Sequence, residues 1–303
     1  MKLLNIRNYL RKLVFVELLG SCFILISCPN LKHSSAPISP LKTEGRTYSL
    51  EIKGNTGRKE VTHYYSGSYI KSFEGQQLVR EKQEDVEFEV QVNYIREDSS
   101  NGFIHTLAKT INKDGVVNLH ELAFPELNER MEVVYKKDAE IVYAGEYPRS
   151  SIFYVPPLSL PNEPVKVGDT WEMQKSWIGD KNSIPLHIDL VTIFKNVYPC
   201  GQETCADLEV SGEVSIIASL NKNTNFKSEV SGRILFSIDK GVIVWSLLNS
   251  KEAMDISDNH VEVLSCLLSH LTEPKREIWR GVQNKHCDPK KMEVAQVPGT
   301  VSL

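Results

Sequence analysis

The chain has 303 residues, 41% hydrophobic and 24% charged, with 11 Tyr, 10 Phe and 4 Trp, a composition that fits a folded globular protein and excludes general disorder. It is long enough to bury a sizeable core as one large domain or two ordinary ones. Its formal charge is −4, and loss of residues 1–27, with four cations (Lys2, Arg7, Arg11, Lys12) and one acid (Glu17), takes it to −7. A mildly acidic chain without Lys/Arg blocks has no electrostatic basis for binding nucleic acid or adhering to anionic lipid.

The amino terminus has three parts: a short basic stretch, a mostly apolar run from Leu13 to Ile26, and small Ser27 before Cys28. This is the layout of an export signal, and fourteen residues are too few for a comfortable membrane span. Leu25-Ile26-Ser27-Cys28 resembles the lipobox of bacterial lipoprotein precursors. The resemblance implies cleavage between Ser27 and Cys28 and a diacylglycerol on the Cys28 thiol. Glu17 departs from the pattern by placing a charge in the apolar run, and Leu18–Ile26 remains as an uninterrupted core. Two or three acyl chains, at about 0.8 kcal/mol per buried methylene, make a stable anchor. By the same resemblance, Pro29 rather than Asp after the lipid-bearing Cys favours an outer membrane. The expected location is therefore the cell envelope, lipid-anchored, with the outer membrane preferred to the inner. Residues 28–44 are rich in Pro and Ser and read as a lipidated flexible tether.

From Gly45 onward apolar residues recur with period two. Val86 to Tyr94 alternates cleanly, as does Ile184 to Leu190 apart from Pro185. Further strands are expected at Tyr48–Ile52, Val116–Leu122, Glu132–Tyr135, Ile141–Tyr143, Ala206–Ile217 and Ile234–Leu248. Val261–Leu271 suits either a short amphipathic helix or a strand. The fold class is mainly β: a large antiparallel, curved or half-barrel sheet with few short helices. Gly45-Arg46-Thr47-Tyr48 and Gly168-Asp169-Thr170-Trp171 share a Gly-x-Thr-aromatic signature. They suggest two related halves, 45–150 and 167–282, joined by a Pro-rich crossover at 151–166 and followed by a tail at 283–303. The competing reading is one continuous sheet wrapped once, with the proline segment as its crossover.

Leu160 to Trp171, with its Val-Gly-Asp-Thr-Trp run, resembles a motif of uncharacterised β-rich envelope lipoproteins. Cys205-Ala206 and Gly232 to Gly241 extend the likeness. The resemblance implies a neighbourhood and no activity. Physically, Gly168-Asp169 makes a turn, Thr170 starts a strand and Trp171 plugs the core or an open sheet edge.

After processing four thiols remain: Cys200, Cys205, Cys266 and Cys287. An even count in an exported chain suggests disulfides, with three pairings open. Cys200 and Cys205 flank a hairpin, so the expected pairs are Cys200 with Cys205 and Cys266 with Cys287. Cys-x4-Cys without a matching second pair gives no zinc signature.

No nucleophile elbow, phosphate loop, His-Glu-x-x-His or dinucleotide fingerprint occurs, and the histidines are scattered singly. Carboxylates such as those of Glu84 to Glu89 read as the exposed members of alternating strands, and His187 as solvent-facing. No catalytic residue, cofactor or metal is assigned, and a non-enzymatic protein is expected. Tyr64, Tyr65, Tyr69 and Phe73, with Ile152-Phe153-Tyr154-Val155, are core or the lining of an apolar pocket. Beyond the membrane reached through its lipid, the partner is a lipid-like or hydrophobic ligand. The alternative is a structural protein contacting another envelope component, and the weaker alternative a hydrolase with a spatially assembled site.

Overall fold

The computed structural model describes residues 39–179, 184–217, 224–256, 259–274 and 287–291. Eleven strands form one antiparallel sheet: β1 (Lys59–Glu74), β2 (Gln77–Glu97), β3 (Ile104–Gly115), β4 (Arg130–Tyr135), β5 (Ile141–Ala144), β6 (Thr170–Ile178), β7 (Pro185–Cys200), β8 (Glu203–Ile216), β9 (Thr224–Ser237), β10 (Val242–Ile256) and β11 (Asn259–Glu273). The spatial order is β5-β4-β3-β2-β1-β11-β10-β9-β8-β7-β6. The chain therefore runs out along one wing, crosses from edge to edge through residues 145–169, and returns along the other wing. The seam is β1 against β11, paired from Thr62–Leu271 to Glu74–Asn259.

Alternation decides which face is buried. On β2, Val86, Phe88 and Val90 point to the core and Glu87 and Glu89 away from it; the register carries the same phase through Tyr64, Leu267, Leu248, Ile234, Leu208, Phe194 and Met173. The opposite face carries Asp189, Glu213, Glu229, Lys227 and Lys251, with Lys227 Nζ 3.3 Å from Glu229 and 3.6 Å from Glu213. A lipid-embedded barrel turns an apolar band outward. Here charges lie on the outer face over β7–β10, although the same face also packs apolar Leu235, Trp245, Leu247 and Leu268 where β9, β10 and β11 meet.

The sheet curls toward its apolar face. Gly212 and Gly232 lie on that face, and a Cβ on either would come within 2.0 Å of the Asp189 carbonyl oxygen or 2.6 Å of the Leu247 carbonyl oxygen. Only glycine lets neighbouring strands approach so closely at a sharp bend. The edges β5 and β6 are not paired with each other, and the crossover bridges them. Ile178 N–H donates to Ser150 O (2.6 Å), Leu160 N–H to Asp138 O (3.0 Å), and Lys175 Nζ lies 3.6 Å from Glu140. The result is an unclosed barrel.

One end of this barrel is stoppered. Residues 39–58 run across it, with Leu41 N–H bonded to Val197 O, Ile52 N–H to Lys137 O and Arg58 Nη1 to Lys240 O, each at 2.8 Å. Leu50, Leu158 and Leu160 fill the wall of β6–β9, and Leu119, Phe124 and Phe153 fill that of β2–β5. Inside the stoppered end, Glu60 accepts from Tyr94 Oη (3.1 Å) and lies 3.3 Å from Arg58 Nε, while the Arg58 guanidinium covers the Tyr94 ring at 3.8 Å. Burial raises the Tyr94 hydroxyl pKa far above its ordinary value.

One open reading is settled and three expected strands differ. Val261–Leu271, read as helix or strand, lies wholly in β11. Val116–Leu122 contains a 3-10 turn at Leu119–Leu122, because the Asn118 side chain accepts from His120 N (3.0 Å) and Ala123 takes φ +62°. Tyr48–Ile52 makes a single bridge, Tyr48 with Val165. Ile234–Leu248 is two strands, broken by the turn through Gly241, which has φ +65°. The two Gly-x-Thr-aromatic segments also differ, since Thr170-Trp171 opens β6 and Thr47-Tyr48 belongs to no strand.

Candidate functional site

The register divides the inner wall into rows running across the strands. The row Tyr64–Ser269–Ser246–Ile234–Leu208–Phe194 belongs to the filled part. Two rows further from the stopper lies Ser68–Ser265–Ser250–Val230–Gly212–Leu190, whose β7 end, Leu190, is still core. Beyond it lies Ile70–Val263–Glu252–Ser228–Val214–Ile188, then Val261–Met254–Phe226 toward the mouth. Ile70, Val261, Val263, Met254 and Phe226 are half-buried, and none belongs to the hydrophobic clusters formed by the described residues. Leu186 is half-buried on the same wall, beside Trp177 of β6. This is an apolar concave surface that the described part of the chain builds and does not fill.

Glu252 stands in the middle of it. Its Cα partners are Val263 on β11 and Ser228 on β9, so its carboxyl faces the concave side among uncharged neighbours. Ser250 Oγ donates to it at 3.0 Å. Burial raises its pKa above the ordinary carboxylate value against the smaller opposing effect of the Ser250 hydroxyl. Among the described residues no cation is paired with it. The sequence held a signal for this: Lys251 and Glu252 are consecutive on a strand, so one of the two charges must face inward.

One lip of the opening is β2. Gln77–Asp85 pairs with β1 alone, since β3 begins its pairing at Val86–Gly115. Glu84 shares the phase of Val86 and so points to the concave side, whereas Asp85, Glu87 and Glu89 face out, which corrects the reading of all these acids as outward-facing. Glu84 is ion-paired with Lys82.

Two other polar clusters were invisible in sequence because their members are far apart. His120 Nε2 lies 2.7 Å from Glu129 Oε2 and 2.9 Å from Tyr147 Oη, which donates to Glu129 Oε1 at 2.8 Å. Burial opposes ionisation of Glu129, but bonds from His120, the Glu126 N–H and Tyr147 hold its pKa below the ordinary value. The network pins the 116–129 loop to the crossover. His63 and His270 are cross-strand partners on the outer face with ring centroids 4.9 Å apart, so these histidines are not single.

The cysteines form Cys200–Cys205 at the β7–β8 hairpin and Cys266–Cys287 on the outer face. The second bridge holds residues 287–291 over the sheet, with Pro289 above Gly67 and a pocket of about 530 Å³ beside Tyr65 and Gln83. Trp171 is half-buried in the core, its Nε1 donating to Ser159 O at 2.7 Å. His187 bonds Ser176 Oγ at 2.9 Å on the outer face. Tyr64 stacks on Phe88 in the core at 5.0 Å, whereas Tyr65, Tyr69 and Phe73 lie on the opposite phase. Phe153 stacks on Tyr147 at 3.7 Å. Ser27, Cys28 and most of the 28–44 tether lie outside the described residues, as do His33 and His286.

No protein-family model and no curated protein matches the chain. Among solved structures, an outer membrane channel from Pseudomonas putida F1 is similar at 9% identity and a TM-score of 0.22, over 73% of this chain and 97% of that one.

Proposed function

We propose that this is a lipid-anchored lipoprotein of the cell envelope, outer membrane in preference to inner, whose unclosed barrel holds a hydrophobic, lipid-like molecule without catalysing a reaction on it. The observation that carries the reading is the set of half-buried apolar side chains, Ile70 and Val263 in one row and Met254 and Phe226 in the next, on the concave side of a sheet whose other end is stoppered. Leu50, Leu158 and Leu119 fill the rest of the wall, and no described loop packs on this part of it. An apolar chain laid against it contributes roughly 25 cal/mol per Å² removed from water. The charged outer surface of β7–β10 supports a protein held beside a membrane, with Cys28 carrying the anchor.

The test is chemical. Mass spectrometry of protein gently extracted from the envelope should find a co-purifying amphiphile, which Met254→Asp should expel. In the same cells Cys28→Ala should abolish incorporation of labelled palmitate and release the protein from the membrane fraction. An empty barrel in protein that retains its anchor would remove the ligand reading and leave the anchoring one.

A further inference from the structure

A carboxyl group is costly on an apolar wall. Glu252 sits between Val263 and Ser228, with Met254 and Val261 one row nearer the mouth, and its hydrogen bond comes from Ser250, a neutral donor, at 3.0 Å. Ser265 lies opposite Ser250 on the next strand and Ser228 opposite Glu252 itself, so the carboxyl stands beside a short hydroxyl-lined patch, with Val263, Val261 and Met254 supplying hydrocarbon on its other side. Several other charges of the sheet have opposite charges within reach: Lys227 with Glu213 and Glu229, Lys195 with Glu209, Lys82 with Glu84. Glu252 has none among the described residues, and every neighbour named here can accept or ignore a cation but not supply one.

Resting on the reading of the barrel as a binding site, we infer that Glu252 is the head-group contact and that the ligand is a cationic amphiphile: an aliphatic chain bearing a protonated amine. The chain lies on Val261, Val263 and Met254, and the ammonium is placed at Glu252, with the Ser250 and Ser265 hydroxyls taking its remaining N–H donors. Desolvation that makes the carboxylate costly in the empty protein strengthens its pairing with a cation delivered in the same step.

The experiment uses the full chain in lipid nanodiscs with three dodecyl probes carrying a photoreactive diazirine, alike but for their heads: amine, alcohol and carboxylate. Labelled peptides are mapped by mass spectrometry. At pH 7.5 the amine should label peptides of β10 and β11 about tenfold more than the alcohol, the fold-change of one charge-assisted hydrogen bond. Glu252→Gln should abolish that preference while alcohol labelling persists, and Val263→Lys, which places a cation beside Glu252, should suppress the amine and favour the carboxylate. If Glu252→Gln leaves the amine preference intact, or the alcohol labels as well as the amine in the unaltered chain, the head-group assignment is wrong and the barrel reading stands. If none of the three labels the concave wall, both fail.

Discussion

Asp207 and Arg233 form a two-point ion pair across β8 and β9, Nε to Oδ1 and Nη2 to Oδ2 both at 2.6 Å, with Asp207 1% exposed. Its bonds to Asp207 hold the guanidinium pKa above its ordinary value despite partial burial. Pairs of this kind repay their desolvation only while both partners remain. Arg233→Met, which strands Asp207, should therefore cost about 3 kcal/mol of unfolding free energy, and Asp207→Leu with Arg233→Met should recover most of it. Urea unfolding of both variants checks this; equal losses in the single and double variants would show that packing rather than charge is at stake.

Curvature rests on two glycines. Gly212→Ala would press a Cβ to within 2.0 Å of the Asp189 carbonyl oxygen; the Cβ is fixed by its own backbone and the oxygen belongs to the paired neighbouring strand, so no flexible side chain can yield. The expected cost is about 2 kcal/mol or more, with the strands β7 and β8 forced apart. Thermal unfolding gives the magnitude. Hydrogen exchange gives the place: faster exchange should be confined to amides of β7–β9, and an unchanged Tm would mean the bend does not depend on that glycine.

The two-sided strands explain what was legible in the sequence and what was not. β2 alternates cleanly because one face meets a filled core and the other meets water, so Val86, Phe88 and Val90 declare their side. β11 does not. Its inner face carries Val261, Val263 and Leu267 and its outer face Leu264, Cys266 and Leu268, where the 287–291 segment returns over the sheet, so apolar residues lie on both sides and the period blurs into something helix-like. The crossover's position between the sheet edges followed from its prolines. The stopper did not, because Leu50 and Ile52 act as a plug held by side-chain packing rather than as a strand held by pairing. Glu252 was hidden for a related reason: which of two adjacent charges turns inward depends on register, and register is set by the partner strands.

Glu252 also makes a prediction about pH. Its folded-state pKa is raised by burial, so the folded protein holds that proton more tightly than the unfolded chain does. Its favourable contribution is fully present below the unfolded value, about pH 4.3, and is lost as pH rises through the folded value. Glu252→Gln cannot ionise. At neutral pH the variant should therefore be more stable than the parent chain, with the gap shrinking toward zero near pH 4. Denaturation midpoints from pH 4 to 8 measure this. A gap independent of pH would mean that Glu252 is solvated on the concave side and carries no cost. A carboxylate retained at the expense of stability is the pattern expected of a site in use.

The seam between β1 and β11 carries the opposite dependence. His63 and His270 are direct partners there, ring centroids 4.9 Å apart, with Trp245 the β10 partner of His270 and Glu87 3.8 Å from His63. Burial, and then the neighbouring His63, lower the pKa of His270, against a weaker pull from Glu89. A depressed histidine contributes stability above its unfolded value, about pH 6.5, and that contribution is lost as pH falls through the folded value. Acidification should therefore loosen the one strand pairing that joins the two wings of the sheet. Hydrogen exchange corrected for intrinsic rates should show the amides around Tyr65 and Leu268 losing protection between pH 6.5 and 5 earlier than those of the β7–β8 pairing. His270→Gln removes the titrating group and should flatten that difference. Equal loss of protection across the whole sheet in both proteins would place the acid sensitivity elsewhere.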